Sequence, residues 1–430
     1  MKNTNNSNVD NIDNNNSFEN SFGEFGGLNI PSSTAREIIE KVKDIPPQQS
    51  ISFLFERFLN TILKEERSIH LSEDNNNKGN GFYERSVNDG INKLNLNIPR
   101  LRSGSFNSQF LPESYKRVYS QSYEDLLNSF LVSGYSKSSI LNNLKFLGLP
   151  YSEQEVERLA DSLYAESNSF KKRSLDNNIF AVFVDGYRCQ VKDEDGKIKL
   201  CTIYVIISVD IEGNKDLIGY YPIFGRENTV TWRGIFLDLM NRGLKKLSLV
   251  ISDDFAGIKE VIKSLFKESD HQLCYVHMQR NITRNLNKKD SKKFNKKLKE
   301  IRELDQDKDT AIKDFENLCE EYKDTYQTYM ELLISKKYHY FAFKKYEHDM
   351  QKYLYTTNCV ENFNSLIERK RRISGGHFQS QKFLEINLYL IQKNLKNKAW
   401  KNVVPNIAKF RYQMRQDLAA RYDMETHDLG

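Results

Sequence analysis

The 430-residue sequence has only five cysteines, Cys189, Cys201, Cys274, Cys319 and Cys359, and no two of them form a Cys-x-x-Cys pair. An odd, scattered set supports neither a disulfide framework nor a cysteine-rich zinc knuckle, and it fits a reducing cytoplasm. Long apolar runs are missing too. The longest, Leu200–Val209, is far too short to cross a bilayer, so no membrane partner is expected. The chain opens with neither a basic segment nor an apolar one, so no signal peptide is expected. Nor is there a large excess of charge: the formal net value is +6, which alone says little about a nucleic-acid partner. What the chain does have is length, and 430 residues can hold two or three domains with sizeable cores.

Residues 1–30 are rich in Asn, Ser and Gly and bury too little apolar surface to offset the entropy of ordering, so a disordered tail is expected. A helical and extended region should occupy 31–112. AREIIEKVK and ISFLFERFLNTILKEE read as helices broken by Pro46–Pro47, and His70–Gly90 reads as a loop. Leu94–Pro99 and the residues after it read as a short hairpin or extended arm. Between 113 and 175, helical stretches end at Gly134 and Gly148, and a third follows a Ser152 cap. Their size suits a helix-turn-helix DNA-binding region, although a plain helical subdomain has the same pattern.

At Ile179 the pattern changes. Ile179–Val184 is almost wholly apolar, as a strand buried on both faces should be, and Asp185 follows at or near its end. Leu200–Asp210 and Leu217–Phe224 are two further strands at hairpin distance. Then come the helix TVTWRGIFLDLMNRGL, the strand Leu247–Ser252, a helix from near Phe255 and a fifth strand, Gln272–Val276. This order predicts an α/β (α+β) chain whose mixed sheet carries flanking helices, its first part spanning 176–277. A charged, all-helical insertion is expected over 278–355. The sheet domain resumes over 356–405 with a helix from near Asn358, and 406–430 forms a terminal helix and tail.

Two carboxylates, Asp185 and Asp253, therefore stand at the ends of buried strands. Asp254 is the rival to Asp253, but it is better placed to cap the next helix. Glu361 is a third candidate, although Asn358-x-x-Glu361 also has the spacing of a capping box. Three converging carboxylates would make an all-oxygen site for Mg²⁺ or Mn²⁺, and two such ions can drive phosphodiester chemistry without a nucleophilic side chain. Positive charge is clustered as well. Met278–Glu300 has nine Lys/Arg against two acidic residues, and Glu368–Arg372 reads ERKRR. Arg280, Arg284, Lys288, Lys289, Arg369, Arg371 and Arg372 are thus candidate DNA-phosphate contacts, though a solvated helix face fits the same pattern.

FVDGYRCQVKDEDGK, VISDDFAG and TTNCVENFN, in that order, resemble the three catalytic blocks of the Mutator-type transposases of bacterial insertion sequences. GRENTVTWRGIFLDLMNRGL and CYVHMQRN also match blocks of that family, and the likeness runs from roughly residue 33 to 405. The resemblance implies that Asp185, Asp253 and Glu361 form a DDE triad holding two Mg²⁺ or Mn²⁺ ions. It further implies an RNase H-like sheet domain with an all-helical insertion. DNA would be the partner, as terminal inverted repeats and as target, and a homodimer or higher assembly would act on it in a prokaryotic cytoplasm. Cys274 and His277 would support the active site, since a single pair is too few for a zinc site. Trp232 would stand beside them or simply in the core. One departure is Glu368, where the family usually has a basic residue. An RNase H-like nuclease and a catalytically silent, transposase-derived DNA-binding protein are the alternatives.

Overall fold

A computed structural model describes residues 32–74, 77–88, 93–111, 121–146, 153–176 and 179–423. The tail expected over 1–30 and the helix boundaries expected at Gly148 and Ser152 lie outside these residues. The chain divides into two units, 1–120 and 121–430.

In the first unit, helices α1 (Ser32–Val42) and α2 (Pro47–Glu73) precede an antiparallel pair of strands, β1 (Gly79–Asn88) and β2 (Lys93–Leu101). Pro47 opens α2 rather than merely ending α1, as a first-turn proline can, because its missing N–H is not needed there. The loop expected over His70–Gly90 is corrected: its first residues extend α2 and most of its second half is β1. The reason lies in β2. Leu94, Leu96 and Ile98 alternate onto one face and bury against Leu59 and Leu63 of α2, with Val87 of β1 beside them. The backbone beneath that face then needs a ladder partner, which Gly79–Asn88 supplies despite its polar composition. Carboxyl and amide oxygens of Glu56 and Asn60 accept from the backbone N–H groups of Asn95 and Asn97, at 2.8 and 2.7 Å.

The second unit opens with three helices, α3 (Gln121–Ser133), α4 (Lys137–Phe146) and α5 (Glu153–Lys172). A mixed sheet follows: β3 (Ile179–Lys192), β4 (Ile198–Asp210), β5 (Lys215–Ile223), helix α6 (Thr229–Asn241), β6 (Leu249–Ser252), helix α7 (Ile258–Leu265) and β7 (Asp270–Leu273). The sheet order is β5-β4-β3-β6-β7, antiparallel across its first three strands and parallel across β3, β6 and β7. The helical stretch then comprises α8 (Tyr275–Asn285), α9 (Lys288–Glu303), α10 (Lys308–Glu320), α11 (Lys323–Ser335), α12 (Lys337–Tyr340) and α13 (His348–Leu354). Finally come α14 (Asn358–Ile373), α15 (Gln381–Asn397), α16 (Pro405–Ala408) and α17 (Arg411–Arg421). None of the helices among the described residues is long and apolar enough to cross a membrane.

Strand alternation sorts the core into two layers. Val182 and Val184 of β3 face α6 and α7, packing with Phe236, Ile258 and Ile262. Ala181 and Phe183 face the other way, into the layer that holds Val360, Phe363 and Ile367 of α14. The next residue in that second register is Asp185. Helix α5 is fastened to this unit at two buried points. The Ser167 and Tyr220 hydroxyls lie 2.6 Å apart, and Lys171 donates to the buried Glu385 carboxylate of α15 at 2.9 Å.

The strand starts and ends read at Leu200, Leu217, Phe224 and Leu247 shift by one or two residues, and two larger differences bear on the site. β3 runs on through Lys192, so Asp185 is in mid-strand, because β4 continues to pair with it down to Ile198. The ladder that does stop is β6, whose last residue, Ser252, lies opposite Val184. Asp185 is therefore the first residue of β3 beyond its parallel neighbour. β7 ends at Leu273 rather than Val276, since Tyr275, Met278 and Ile282 recur at helical spacing and bury one face of α8.

Candidate active site

Asp185, Asp253 and Glu361 are brought to one end of the parallel strands. Asp185 is buried, and its Oδ2 accepts from the Asn364 side-chain amide at 3.0 Å. Asn364 lies three residues after Glu361, hence on the same side of α14, so one helix supplies both groups. Burial pushes the Asp185 carboxyl up to about 6; His277 and the Gly186 N–H oppose this, while Glu361 and Asp253 add to it. Asp253 follows β6 directly, and its Oδ1 accepts from the Asp254 N–H at 2.7 Å. Asp254 does not cap α7, contrary to the sequence reading. It pairs with Lys336 and, at 3.4 Å, with Lys259, while the helix begins four residues later behind Gly257.

That glycine is required. Its φ is +81°, and a Cβ there would press on the Thr229 hydroxyl and stand 2.8 Å from the Thr229 backbone nitrogen. Gly257→Ala should thus destabilise the protein by about 2 kcal/mol or more, from the left-handed backbone plus the clash. A thermal melt unchanged by the substitution would contradict this geometry.

The capping box read from Asn358 and Glu361 does not form. The N-cap residue is Thr357, and the Asn358 N–H donates to the Thr356 hydroxyl at 3.1 Å. Glu361 turns instead toward α8, where Arg280 donates to Oε1 at 2.6 Å and to Oε2 at 3.4 Å. His277 lies between the carboxylates, 3.9 Å from Asp253 and 3.8 Å from Glu361. Burial alone would lower its pKa, but the Cys274 thiol and the carboxylates Asp253 and Asp185 outweigh burial and raise it to about 9. The complementary effect appears on Cys274. Burial pushes this thiol up, but hydrogen bonds from His277 and Thr357 prevail and hold it below the ordinary range. Cys274 and His277 thus belong to the cap and first turn of α8, not to a strand end.

Trp232 is fully buried and packs at a tilt against Tyr204 and Phe255, ring centres 4.5 and 5.1 Å away. It is a core residue that backs the loop carrying Asp253 through Phe255, and its buried side chain is not available to DNA. The basic candidates fall into three groups. Arg280 is committed to Glu361, whereas Arg284, Lys288 and Lys289 are exposed near the α8–α9 turn. In α14, Arg369 is exposed, but Arg371 and Arg372 both donate to Glu368, at 2.7 and 2.8 Å. Tyr187 of β3 donates to the same carboxylate, and these bonds hold the Glu368 pKa far below the ordinary carboxylate range. The acidic departure at 368 therefore engages two of the arginines beside it and offsets one of their two charges.

The donor chemistry of the three carboxylates suits a hard divalent cation. Their present spacing does not complete a site: among the described residues no three His, Cys, Asp or Glu groups meet at metal-ligand distance. The positive charge between them comes from Arg280 and His277. Sequence reasoning missed the Arg280–Glu361 pair and Asn364. The first spans 81 residues and had no local signal, but the i, i+3 spacing of Glu361 and Asn364 was readable.

The family model described as "Transposase, Mutator family" matches residues 34–402. Similar proteins include the transposase for insertion sequence element IS1201 of Lactobacillus helveticus, 25% identical over 75% of this chain and 86% of that protein. The transposase for ISRM3 of Rhizobium meliloti is 26% identical over 79% and 84%. That for IS256 in transposon Tn4001 of Staphylococcus aureus is 29% identical over 63% and 70%. With a family model spanning most of its length and these relatives beside it, this chain belongs to the Mutator family of transposases.

Proposed function

We propose that this chain is the DNA transposase of an insertion sequence, which binds terminal inverted repeats, cleaves DNA and joins the 3′-hydroxyl to a target by transesterification. The observation that carries the reading is the meeting of Asp185, Asp253 and Glu361 around one imidazole, from three segments far apart in the chain. The sheet order, with helices on both faces and a helical stretch between β7 and α14, is that expected of an RNase H-like domain. Asp185, Asp253 and Glu361 would hold Mg²⁺ or Mn²⁺, two ions in the full site. Bound ions would supply the electrophile that activates a water or a 3′-hydroxyl and stabilises the leaving oxygen.

The chain's own residues prepare that site. Asn364 holds Asp185 in place, and β3 fixes it beyond the end of the β6 ladder. Arg280, half exposed, is the positive group that an incoming phosphate meets beside Glu361. A homodimer or higher assembly on DNA would bring two element ends together. The test is a strand-transfer reaction with labelled, pre-cut element ends, a supercoiled target and Mg²⁺ or Mn²⁺. Joined products that vanish with chelator are expected. Cutting without joining would instead indicate a nuclease, and end binding without either reaction a silent DNA-binding protein.

A further inference from the structure

A second concentration of positive charge lies beyond the carboxylates, along α7. Lys259 and Lys263 stand one turn apart on this helix, and Lys267 follows in the turn after Leu265. With Lys308 at the start of α10 and His271 of β7 they line a cavity of about 470 Å³. Four ammonium groups share its wall with two carboxylates, those of Glu260 and Asp270, the second already paired with Lys345 and Arg421. Lys259 is partly neutralised by Asp254, but Lys263 and Lys267 have no ion pair among the described residues. Lys308 is half-buried, and burial, with the Lys345 charge added, holds its ammonium below the ordinary lysine range. The cavity thus keeps two exposed lysines, Lys263 and Lys267, without an ion pair among the described residues, beside a half-buried Lys308.

The wall also contains an unpartnered polar atom. His271 is 7% exposed, and its Nε2 lies 2.8 Å from the Ser252 hydroxyl. That hydroxyl gives its own proton to the Asp253 carbonyl at 2.7 Å, so it accepts from Nε2–H. Nδ1 is left as a buried acceptor with no partner. Buried polar atoms seldom stay unmatched, and a water that donates one proton to Nδ1 and the other to a phosphate oxygen would satisfy this one. The same bonds tie the cavity wall to the backbone of Asp253. Tyr338, exposed beside Lys308, adds an aromatic face at the rim.

We propose that this cavity seats a backbone phosphate of DNA, as a contact separate from the catalytic carboxylates. The inference rests on the transposase reading above and adds a particular place for the strand. Lys259 and Lys263, about 6 Å apart along the axis of α7, and Lys267 just beyond its end lead away from Asp254, and therefore away from the cleavage point. A small anion would need one such lysine pair; a polyanion uses the row.

The experiment uses the full chain and its Lys263→Glu/Lys267→Glu variant. Both lysines are exposed, so the variant should melt like wild type, with Lys263→Gln/Lys267→Gln as the milder companion. Duplex DNA should bind the charge-reversed variant roughly tenfold more weakly at 0.2 M salt, and the slope of log K against log salt should shrink by about 2. DNA, but not 10 mM inorganic phosphate, should also protect Lys263 from amine-directed labelling, on the order of several-fold. An unchanged slope in the variant overturns the proposal, as does equal protection by free phosphate, which would mark a small-anion site. A wild-type chain that binds no DNA would overturn the transposase reading itself, a result distinct from loss of this increment alone.

Discussion

Glu361→Gln should leave the protein folded and lower strand transfer by at least about a thousandfold. The fold should be indifferent because Glu361 has no capping duty: the Asn358 N–H is taken by Thr356, and the helix starts at Thr357 without a side-chain cap. What the variant loses is the ion pair with Arg280, whose side chain is 50% exposed, and such pairs contribute about 0–1 kcal/mol. Melting should shift by no more than a degree or two. Catalysis is another matter, since a neutral amide removes a full charge from the group that would hold a divalent ion and stabilise the transition state. Glu368, the next carboxylate along the helix, cannot take over. Tyr187, Arg371 and Arg372 already occupy it, two turns away. Strand transfer by Glu361→Gln at near wild-type rate would remove Glu361 from the triad.

Asp185→Asn should make the protein more stable at neutral pH while abolishing joining. Folding raises the Asp185 pKa from the ordinary 3.8 to about 6, chiefly through burial. A carboxyl raised in this way contributes stability that is fully present below about pH 4 and is lost as pH climbs through 6. By pH 7.5 the wild type carries the whole deficit, at most about 3 kcal/mol for a difference of this size. Asparagine has the shape of the protonated acid and can still accept the Asn364 amide. In chelator, calorimetry should show the variant melting several degrees higher at pH 7.5, with the gap closing toward pH 4. Millimolar Mg²⁺ should then raise the wild-type melting temperature and leave that of the variant unchanged. Equal melting of the two proteins across this pH range would refute the account of Asp185 as a strained, buried charge.

Much of this was legible in the sequence, for reasons that can be located. Ile179–Val184 announces a two-sided buried strand because every residue in it is apolar, and the structure buries all six. The mixed sheet with flanking helices follows from the spacing of short apolar runs and one amphipathic helix after another. Less legible was anything decided by distant partners. Asp185 looked like a strand end because the apolar run stops there, yet β4 carries the ladder seven residues further. Val276 read as part of a strand because only the later Met278 and Ile282 disclose the helical period. Gly79–Asn88 read as a loop from its Gly and Asn content, and only the alternation of Leu94, Leu96 and Ile98 across the turn demands a strand opposite. The charge-offsetting role of Glu368 depends on Tyr187, 181 residues away, and nothing local to ERKRR could have signalled it.

The two glutamates of α14 are held by unrelated parts of the molecule. Glu361 is tied to α8, whereas Glu368 is tied to β3 through Tyr187. The helix is consequently fixed in angular phase as well as in position. One residue inserted between 361 and 368 would turn the first glutamate by about 100° and move it about 1.5 Å relative to the second. Either the Arg280 pair or the Tyr187 bond would then have to break. In this chain, the interval should tolerate replacement of its residues far better than insertion or deletion, since only the latter changes the seven-residue separation.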